Sequence, residues 1–204
     1  GPHLVYVPEI AFSLKGFLED VSAAYAKHGR CQIAVSEGIA DETGQPITVA
    51  LAEKLGHRVE RDSHGNVQLS GSGALGDFLS DYLKAELKTD RYTKLRVRAD
   101  TFGYLQRSFA GYASEIDQME ARMAGRKAVE FASAGDVDGS VAITREKGEK
   151  YKSGFMRAEL KDVARHTKDL PRNYMNKAGN NITEAFRKYA LPLVGQLPTI
   201  GKLF

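Results

Sequence analysis

The first forty residues predict a strand, a helix and a second strand in succession, and this order constrains the fold most. Leu4–Val7 is a short β-rich run that Pro8 would end. Ser13 suits the N-cap of a helix whose apolar residues recur at helical spacing until Gly29. Gln32–Ser36 predicts the second strand. Because strands joined by a helix usually pair in parallel through a right-handed crossover, the segment predicts a parallel sheet.

The remainder of the 204 residues keeps helices and strands mixed. Met119 and Met123 are expected in the core, and Gly125 is expected to interrupt their helix. No stretch is purely helical or purely β, so the chain predicts an α/β fold as one large domain or two small ones. The predicted helices lie near 47–55, at Phe78–Leu87, after Ser114 and at Thr183–Tyr189; the strands lie at Leu95–Arg98, Val141–Thr144 and Leu160–Val163.

Composition excludes several classes of partner. The net charge is +3, with 29 basic and 26 acidic residues, which argues against a nucleic-acid partner. No apolar run approaches the ~20 residues that span a bilayer, and no signal peptide is visible, so we expect no membrane partner. Cys31 is alone and the histidines lack metal-ligand spacing, which predicts no disulfide and no structural metal site. A lone thiol fits a cytoplasmic location.

The segment Arg98–Ser108 is the strongest candidate for a binding site. It joins the end of a predicted strand to a glycine corner, and Tyr104 and Arg107 follow three residues apart. The planar fork of an arginine matches phosphate oxygens, and the phenol adds a donor. Arg96 alternates onto the same strand face as Arg98, so sequence alone does not separate them. The segment predicts a site for a phosphorylated, hydroxyl-rich ligand; the alternative is a surface arginine after a strand.

Glu37 is a second candidate because it follows directly after a predicted strand. The carboxyl ends of parallel strands are where α/β sheets bind ligands. A carboxylate there can accept hydrogen bonds from two sugar hydroxyls, and Gly38 would allow close approach. The alternative is a solvated loop carboxylate.

A competing motif is Gly71–Gly76, which matches the dinucleotide fingerprint Gly-x-Gly-x-x-Gly. Asp100 stands where a ribose-binding acid would be expected. This alternative predicts an NAD(P)-dependent oxidoreductase domain. The run Asn66–Ser70 before the motif is polar for a central strand, which favours a glycine loop entering a helix instead.

Four blocks of the sequence carry a family resemblance. They occur in the family's order and cover most of the chain, and the third is the most specific. The chain resembles the C-terminal half of the phosphofructokinase family, most closely its pyrophosphate-dependent members. The blocks are His3–Glu9 (HLVYVPE), Gly29–Gly38 (GRCQIAVSEG), Gly103–Ser108 (GYLQRS) and Asn181–Tyr189 (NITEAFRKY).

The resemblance implies a fold and an organisation. The fold would be a three-layer α/β sandwich with a mainly parallel sheet. Residues 1–204 would form the sugar-phosphate-binding C-terminal half, with residues 110–150 packing against an N-terminal half. Homo-oligomers are also implied.

The resemblance further implies an activity, phosphorylation of fructose 6-phosphate at the 1-position in glycolysis. The residues implied to bind fructose 6-phosphate are Glu37, Tyr104, Leu105, Gln106, Arg107 and Arg98, the last in its own or a neighbouring subunit's site. Many ATP-dependent members have histidine where Tyr104 stands, which favours pyrophosphate over ATP as donor.

The blocks that bind the donor and Mg2+ and that supply the base do not occur in these residues. We therefore expect no catalytic or metal-binding residues here, Mg2+ ligands outside this chain, and no turnover by the chain alone. A non-catalytic sugar-phosphate-binding or regulatory module is a further alternative.

Overall fold

The structure is a computed structural model that describes residues 1–56, 74–87, 95–104, 113–135, 138–148, 150–164 and 167–195. The chain forms two compact units. The first unit comprises Gly1–Ser108 and Pro171–Thr183, and the second comprises Phe109–Leu170 and Glu184–Phe204. The second unit therefore interrupts the first in sequence.

The first unit begins with the predicted strand, helix and strand. Strand β1 (Leu4–Tyr6) pairs in parallel with β2 (Ile33–Val35), with Leu4 opposite Ile33. Helix α1 (Leu14–His28) connects them. The Ser13 hydroxyl accepts a hydrogen bond from the Gly16 N–H at 3.2 Å, and Gly29 ends the helix with a left-handed φ of 65°. These caps satisfy backbone groups that a helix leaves unpaired at its ends, and they confirm the predicted bounds.

Two further helices complete the core of the first unit. Helix α2 spans Ile47–Leu55, as predicted, and α3 spans Ala74–Glu86, which begins four residues before the predicted start at Phe78. Lys54 on α2 joins them, because its Nζ lies 2.9 Å from Glu86 Oε1 and 4.4 Å from the centre of the Tyr82 ring. The largest fully buried side chains of this core are Phe17, Ile39, Ile47 and Leu51.

The segment Pro171–Thr183 supplies a partner for the other edge of β1. The Val5 N–H donates to the Asn180 carbonyl at 2.9 Å, and the Asn181 side-chain amide donates to the His3 carbonyl at 2.8 Å. Neighbouring residues of a strand direct their N–H groups to opposite sides, so the backbone N–H of Val5 points away from β2. The segment contains the short 3-10 helix Arg172–Tyr174 and a bridge between Met175 and Ile182.

The second unit is a helix with an antiparallel hairpin. Helix α4 (Glu115–Ser133) begins after Ser114, whose hydroxyl accepts from the Asp117 N–H at 3.1 Å. Strands β3 (Gly139–Arg145) and β4 (Ser153–Glu159) pair antiparallel. The short α5 (Leu160–Val163) follows β4, and α6 spans Glu184–Val194. The mixture of helices, a parallel strand pair and this hairpin confirms the α/β class.

The Arg145 guanidinium ties the second unit together. It lies 4.7 Å from the centre of the Tyr151 ring and 5.2 Å from that of Tyr189, and it donates to the Tyr189 carbonyl at 3.1 Å. Tyr151 in turn donates its hydroxyl to Glu120 Oε1 at 2.6 Å. The contacts link β3 and the hairpin turn to α4 and α6.

The predictions of two strands are wrong. Leu95–Arg98 has no strand partner among the described residues, although its burial alternates as in a strand. Leu160–Val163 is helical, and the strand beside it, β4, was not predicted. Only Leu160 and Val163 of this run are apolar, and their spacing of three residues fits one face of a helix and not the alternation of a strand.

Three expectations for the helices of the second unit are also wrong. Gly125 does not interrupt α4, since one glycine costs a helix only about 1 kcal/mol and good helix formers flank it. Met119 and Met123 are exposed, not core. Helix α6 continues to Val194, beyond the predicted end at Tyr189, although Pro192 removes one of its backbone hydrogen bonds.

The Tyr151–Glu120 hydrogen bond should make the free energy of unfolding depend on pH. Burial, followed by the hydrogen bond to Glu120, raises the pKa of Tyr151 from 10.0 to about 12. The fold thus favours the protonated phenol, so this contribution is complete below pH 10 and is lost as the pH rises through about 12. Tyr151→Phe leaves the buried Glu120 carboxylate without this donor. We expect it to cost about 1–3 kcal/mol at neutral pH.

Urea unfolding followed by circular dichroism at neutral and alkaline pH measures both effects. Tyr151→Phe should show a shallower loss of stability between pH 10 and about 12 than the parent chain. The exposed Tyr104→Phe is the matched control. Equal pH dependence in the parent and Tyr151→Phe would contradict the prediction.

Candidate functional site

The carboxyl ends of β1 and β2 lie next to each other. A Cβ added to Gly38 would lie 3.4 Å from Pro8 Cγ, so the turns that follow the two strands are in contact. Glu37 lies half-buried in the turn after β2, at the edge predicted for it. A Cβ at this distance would make an ordinary van der Waals contact with Pro8, so this packing does not require glycine, and the room that Gly38 leaves for a ligand stays a prediction.

A second carboxylate, Glu9, occupies the turn after β1. The sequence pattern predicts no role for this residue. Because Glu9 directly follows the proline that ends β1, that position is the signal that would have placed it at the same sheet edge as Glu37. The edge therefore carries one acidic side chain after each of two paired strands, an arrangement that can accept hydrogen bonds from hydroxyl groups.

The segment before the glycine corner crosses the first turn of α3. A Cβ on Gly76 would lie 2.8 Å from Ala99 Cβ, so the segment rests on the helix at this glycine. Val97 packs against the core of the first unit, whereas Arg96 and Arg98 are exposed. The two arginines thus share one exposed side, as the alternation predicts, and Arg98 is presented to solvent.

The glycine corner is confirmed at Gly103, which has a φ of 55°. This left-handed backbone turns the chain between two aromatic side chains, Phe102 and Tyr104, which are each 74% exposed. Leu105, Gln106 and Arg107 lie outside the described residues. The first unit therefore contains Glu37 at the sheet edge and Arg98 and Tyr104 on the crossing segment. That the side chains of Tyr104 and Arg107 lie together in one site stays a prediction.

The positions of Gly76 and Asp100 do not support the interpretation of Gly71–Gly76 as a dinucleotide-binding motif. Gly71 to Gly73 lie outside the described residues, but Gly76 lies within the first turn of α3, where packing against Ala99 explains the absence of a side chain. Asp100 is exposed and does not stand at the end of a strand in the described part of the chain. These two observations favour a glycine loop entering a helix.

No metal site is formed by the residues that the structure describes, since they contain no group of three or more His, Cys, Asp or Glu side chains that could hold an ion. Within the same residues, no helix is both long and apolar enough to span a bilayer. Cys31 is half-buried, and burial followed by the Asp20 charge raises the pKa of its thiol. A raised pKa lowers the thiolate fraction and hence the reactivity of this cysteine.

The first unit is thus an α/β unit with a parallel strand pair and an acidic side chain in the turn after each strand. The sequence profile of the family described as Phosphofructokinase matches residues 1–132. The chain belongs to the phosphofructokinase family.

Curated relatives and a solved structure agree with this assignment. The chain is 46% identical over 196 residues to a pyrophosphate–fructose 6-phosphate 1-phosphotransferase of Rhodospirillum rubrum, covering 96% of this chain and 46% of the relative. It is 32% identical to one of Xanthomonas campestris over 97% of this chain and 44% of that protein. The pyrophosphate-dependent phosphofructokinase structure of Marinobacter aquaeolei aligns with a TM-score of 0.69 at 26% identity, over 98% of this chain and 43% of that chain. The chain thus spans less than half the length of these proteins.

Proposed function

We propose that this chain is the sugar-phosphate-binding part of a phosphotransferase that converts fructose 6-phosphate into fructose 1,6-bisphosphate with pyrophosphate as donor. The observation that carries the proposal is the 46% identity, across 96% of the chain, to the Rhodospirillum rubrum protein of that name. The Glu37 turn and the glycine corner before Tyr104 support it. ATP is the less favoured donor.

Each proposed site residue has a chemical role. The Arg107 guanidinium binds the 6-phosphate through a pair of parallel hydrogen bonds, and the Tyr104 phenol donates a further one. Glu37 accepts hydrogen bonds from the sugar hydroxyls. Leu105 and Gln106 complete the block that spaces Tyr104 from Arg107. Arg98 reaches the phosphate of its own site or, in a homo-oligomer, that of a neighbouring subunit's site.

The proposal assigns the remaining chemistry to polypeptide outside this chain. We expect the Mg2+ ligands and the catalytic base to lie outside this chain, because the blocks that the resemblance implies for them do not occur in its sequence. When bound, the ion neutralises charge on the donor phosphates. This chain's residues hold and orient the acceptor sugar. We accordingly expect the 204 residues alone to bind sugar without turnover, in a cytoplasmic protein.

Thermal unfolding with added ligand tests the proposal. A ligand that binds the folded state raises the midpoint by mass action, so fructose 6-phosphate should raise it and NADH should not. Arg107→Ala removes a charge-assisted pair of hydrogen bonds of about 1.5–3 kcal/mol, which weakens sugar-phosphate binding roughly 10–150-fold. The exposed Arg30→Ala in the first unit is the control and should bind as the parent does.

Two results would contradict the proposal. A midpoint raised by NADH alone would favour the oxidoreductase alternative. A sugar-phosphate shift that Arg107→Ala leaves unchanged would remove Arg107 from the site. A third experiment separates the proposal from the alternative of a non-catalytic binding module. The chain is joined to the rest of a relative and pyrophosphate-dependent turnover is measured, which such a module would not support.

A further inference from the structure

We propose that Asn176 is a positioning residue for the candidate site: its side chain orders the turn at residues 176–181, and this turn holds β1 and, through β1, Glu37 in place. We call residues 176–181 the bracing turn. The role rests on the proposed function, because Glu37 is the sugar-binding side chain that the bracing turn positions. Asn176 itself lies outside the site and acts on it through the backbone.

Asn176 is the centre of the hydrogen bonds within the bracing turn. Its Oδ1 accepts from the backbone N–H groups of Asn180 at 3.0 Å and Asn181 at 3.3 Å, and its Nδ2 donates to Asn180 Oδ1 at 2.8 Å. Its backbone N–H donates to the Asn181 carbonyl at 2.8 Å, and its carbonyl accepts from the Gly179 N–H at 3.1 Å. An asparagine that bonds nearby backbone groups in this way fixes the conformation of a turn.

The Arg172 side chain closes the bracing turn from outside. Its Nη1 donates to the carbonyls of Met175 at 3.2 Å and Asn176 at 2.8 Å, and its Nη2 donates to the Lys177 carbonyl at 3.1 Å. A charged donor makes stronger hydrogen bonds than a neutral one. The first residues of the bracing turn are therefore fixed, and Asn176 transmits this order to its last residues.

The bracing turn contacts β1 and the turn that follows it. The Asn180 carbonyl accepts from the Val5 N–H at 2.9 Å. Gly179 packs on Ile10, since a Cβ added to this glycine would lie 2.9 Å from Ile10 Cγ2. Strands β1 and β2 contribute only three residues each, and a two-stranded sheet is marginally stable without further cover. The bracing turn supplies this cover at the edge of β1 that faces away from β2.

Backbone hydrogen bonds carry the position of β1 to Glu37. The Ser36 N–H donates to the Tyr6 carbonyl at 3.1 Å. The Phe12 N–H donates to the Ala40 carbonyl at 2.8 Å. Because these bonds lie on either side of Glu37 in the sequence, a displacement of β1 or of the turn after it displaces Glu37 as well. Binding side chains need to be held within about 0.5 Å of their productive positions, so such a displacement weakens binding.

Titration calorimetry of the 204-residue chain with fructose 6-phosphate tests this role. Asn176→Ala should raise the Kd roughly fivefold or more, because the bracing turn loses the hydrogen bonds that order it. Asn176→Asp keeps the acceptor for the two N–H groups and should bind more tightly than Asn176→Ala. Asn173→Ala makes the same change at an exposed position of the same segment and should bind as the parent chain does.

Two further measurements separate positioning from a general loss of stability. Leu83→Ala removes a buried side chain of α3, so it should lower the thermal midpoint but leave the Kd unchanged at temperatures well below that midpoint. Amide hydrogen exchange should become faster at Val5 and Phe12 in Asn176→Ala, because their hydrogen bonds depend on the bracing turn. Exchange within α3 should stay as in the parent chain.

The outcomes distinguish this role from the proposed function. A parent chain that binds the sugar phosphate, with the same Kd in Asn176→Ala, would overturn the positioning role alone. Unchanged exchange at Val5 and Phe12 would overturn it too, as would an equal rise of the Kd in Leu83→Ala, which would assign the effect to stability. A parent chain that does not bind fructose 6-phosphate would overturn the proposed function and this role with it.

Discussion

Replacing Phe17 with alanine is expected to lower the free energy of unfolding by about 3–5 kcal/mol. Phe17 is 2% exposed on α1, and its ring centre lies 5.6 Å from that of Tyr6 and 5.3 Å from that of Phe12. Removing the ring loses its burial and leaves a cavity that two neighbouring rings fill only partly. Since a domain is typically stable by only 5–15 kcal/mol, the loss is a large fraction of the total.

Urea unfolding monitored by circular dichroism measures this loss. Phe102→Ala is the matched control, because it removes the same side chain from a position 74% exposed. Surface substitutions of this kind usually change stability by about 0.5 kcal/mol or less. A Phe17→Ala midpoint equal to that of Phe102→Ala would show that the aromatic cluster does not stabilise the first unit.

Gly179→Ala is the second substitution with a large expected effect. Gly179 has a φ of +78°, and a Cβ there would lie 2.9 Å from Ile10 Cγ2. An L-residue in this left-handed conformation costs about 1–2 kcal/mol, and overpacking a close contact costs about 1–3 kcal/mol. The sum predicts a loss of about 2–5 kcal/mol in the free energy of unfolding.

Gly44→Ala separates the two contributions to this loss. Its φ of +83° is nearly the same, but a Cβ at this position would meet none of the described atoms within 4 Å. It should therefore show only the backbone cost of about 1–2 kcal/mol. Thermal unfolding of both variants gives the difference; a Gly44→Ala variant as unstable as Gly179→Ala would mean that Ile10 moves aside at no cost.

The sequence predicted the first unit well because its signals are local. Ser13 and Gly29 mark the ends of α1 through hydrogen bonds and a backbone angle that only neighbouring residues determine. The exposure of Met119 and Met123 depends instead on what covers α4, which a periodic pattern does not reveal. Leu95–Arg98 illustrates the same limit, since a strand requires a pairing partner as well as suitable residues.

The candidate site was predictable to the same extent. The position of Glu37 followed from its place after a predicted strand, and Gly103 provides the expected corner. The contact of Gly38 with Pro8, from the turn after the other strand, was not predicted, and the interpretation of Gly38 as room for a ligand stays a prediction. Contacts between residues distant in sequence are absent from any local pattern.

The pairing of β1 with the segment near Asn180 has a consequence for biosynthesis. The amide of Asn181 and the carbonyl of His3 are separated by 178 positions in the sequence. Ribosomes add roughly 5–20 residues per second, so the edge of β1 that pairs with this segment stays unpaired for on the order of ten seconds or more during synthesis. During that interval a nascent chain exposes unpaired backbone groups that can recruit strands of other chains. Chaperone demand should consequently be greatest before residues 171–183 leave the exit tunnel.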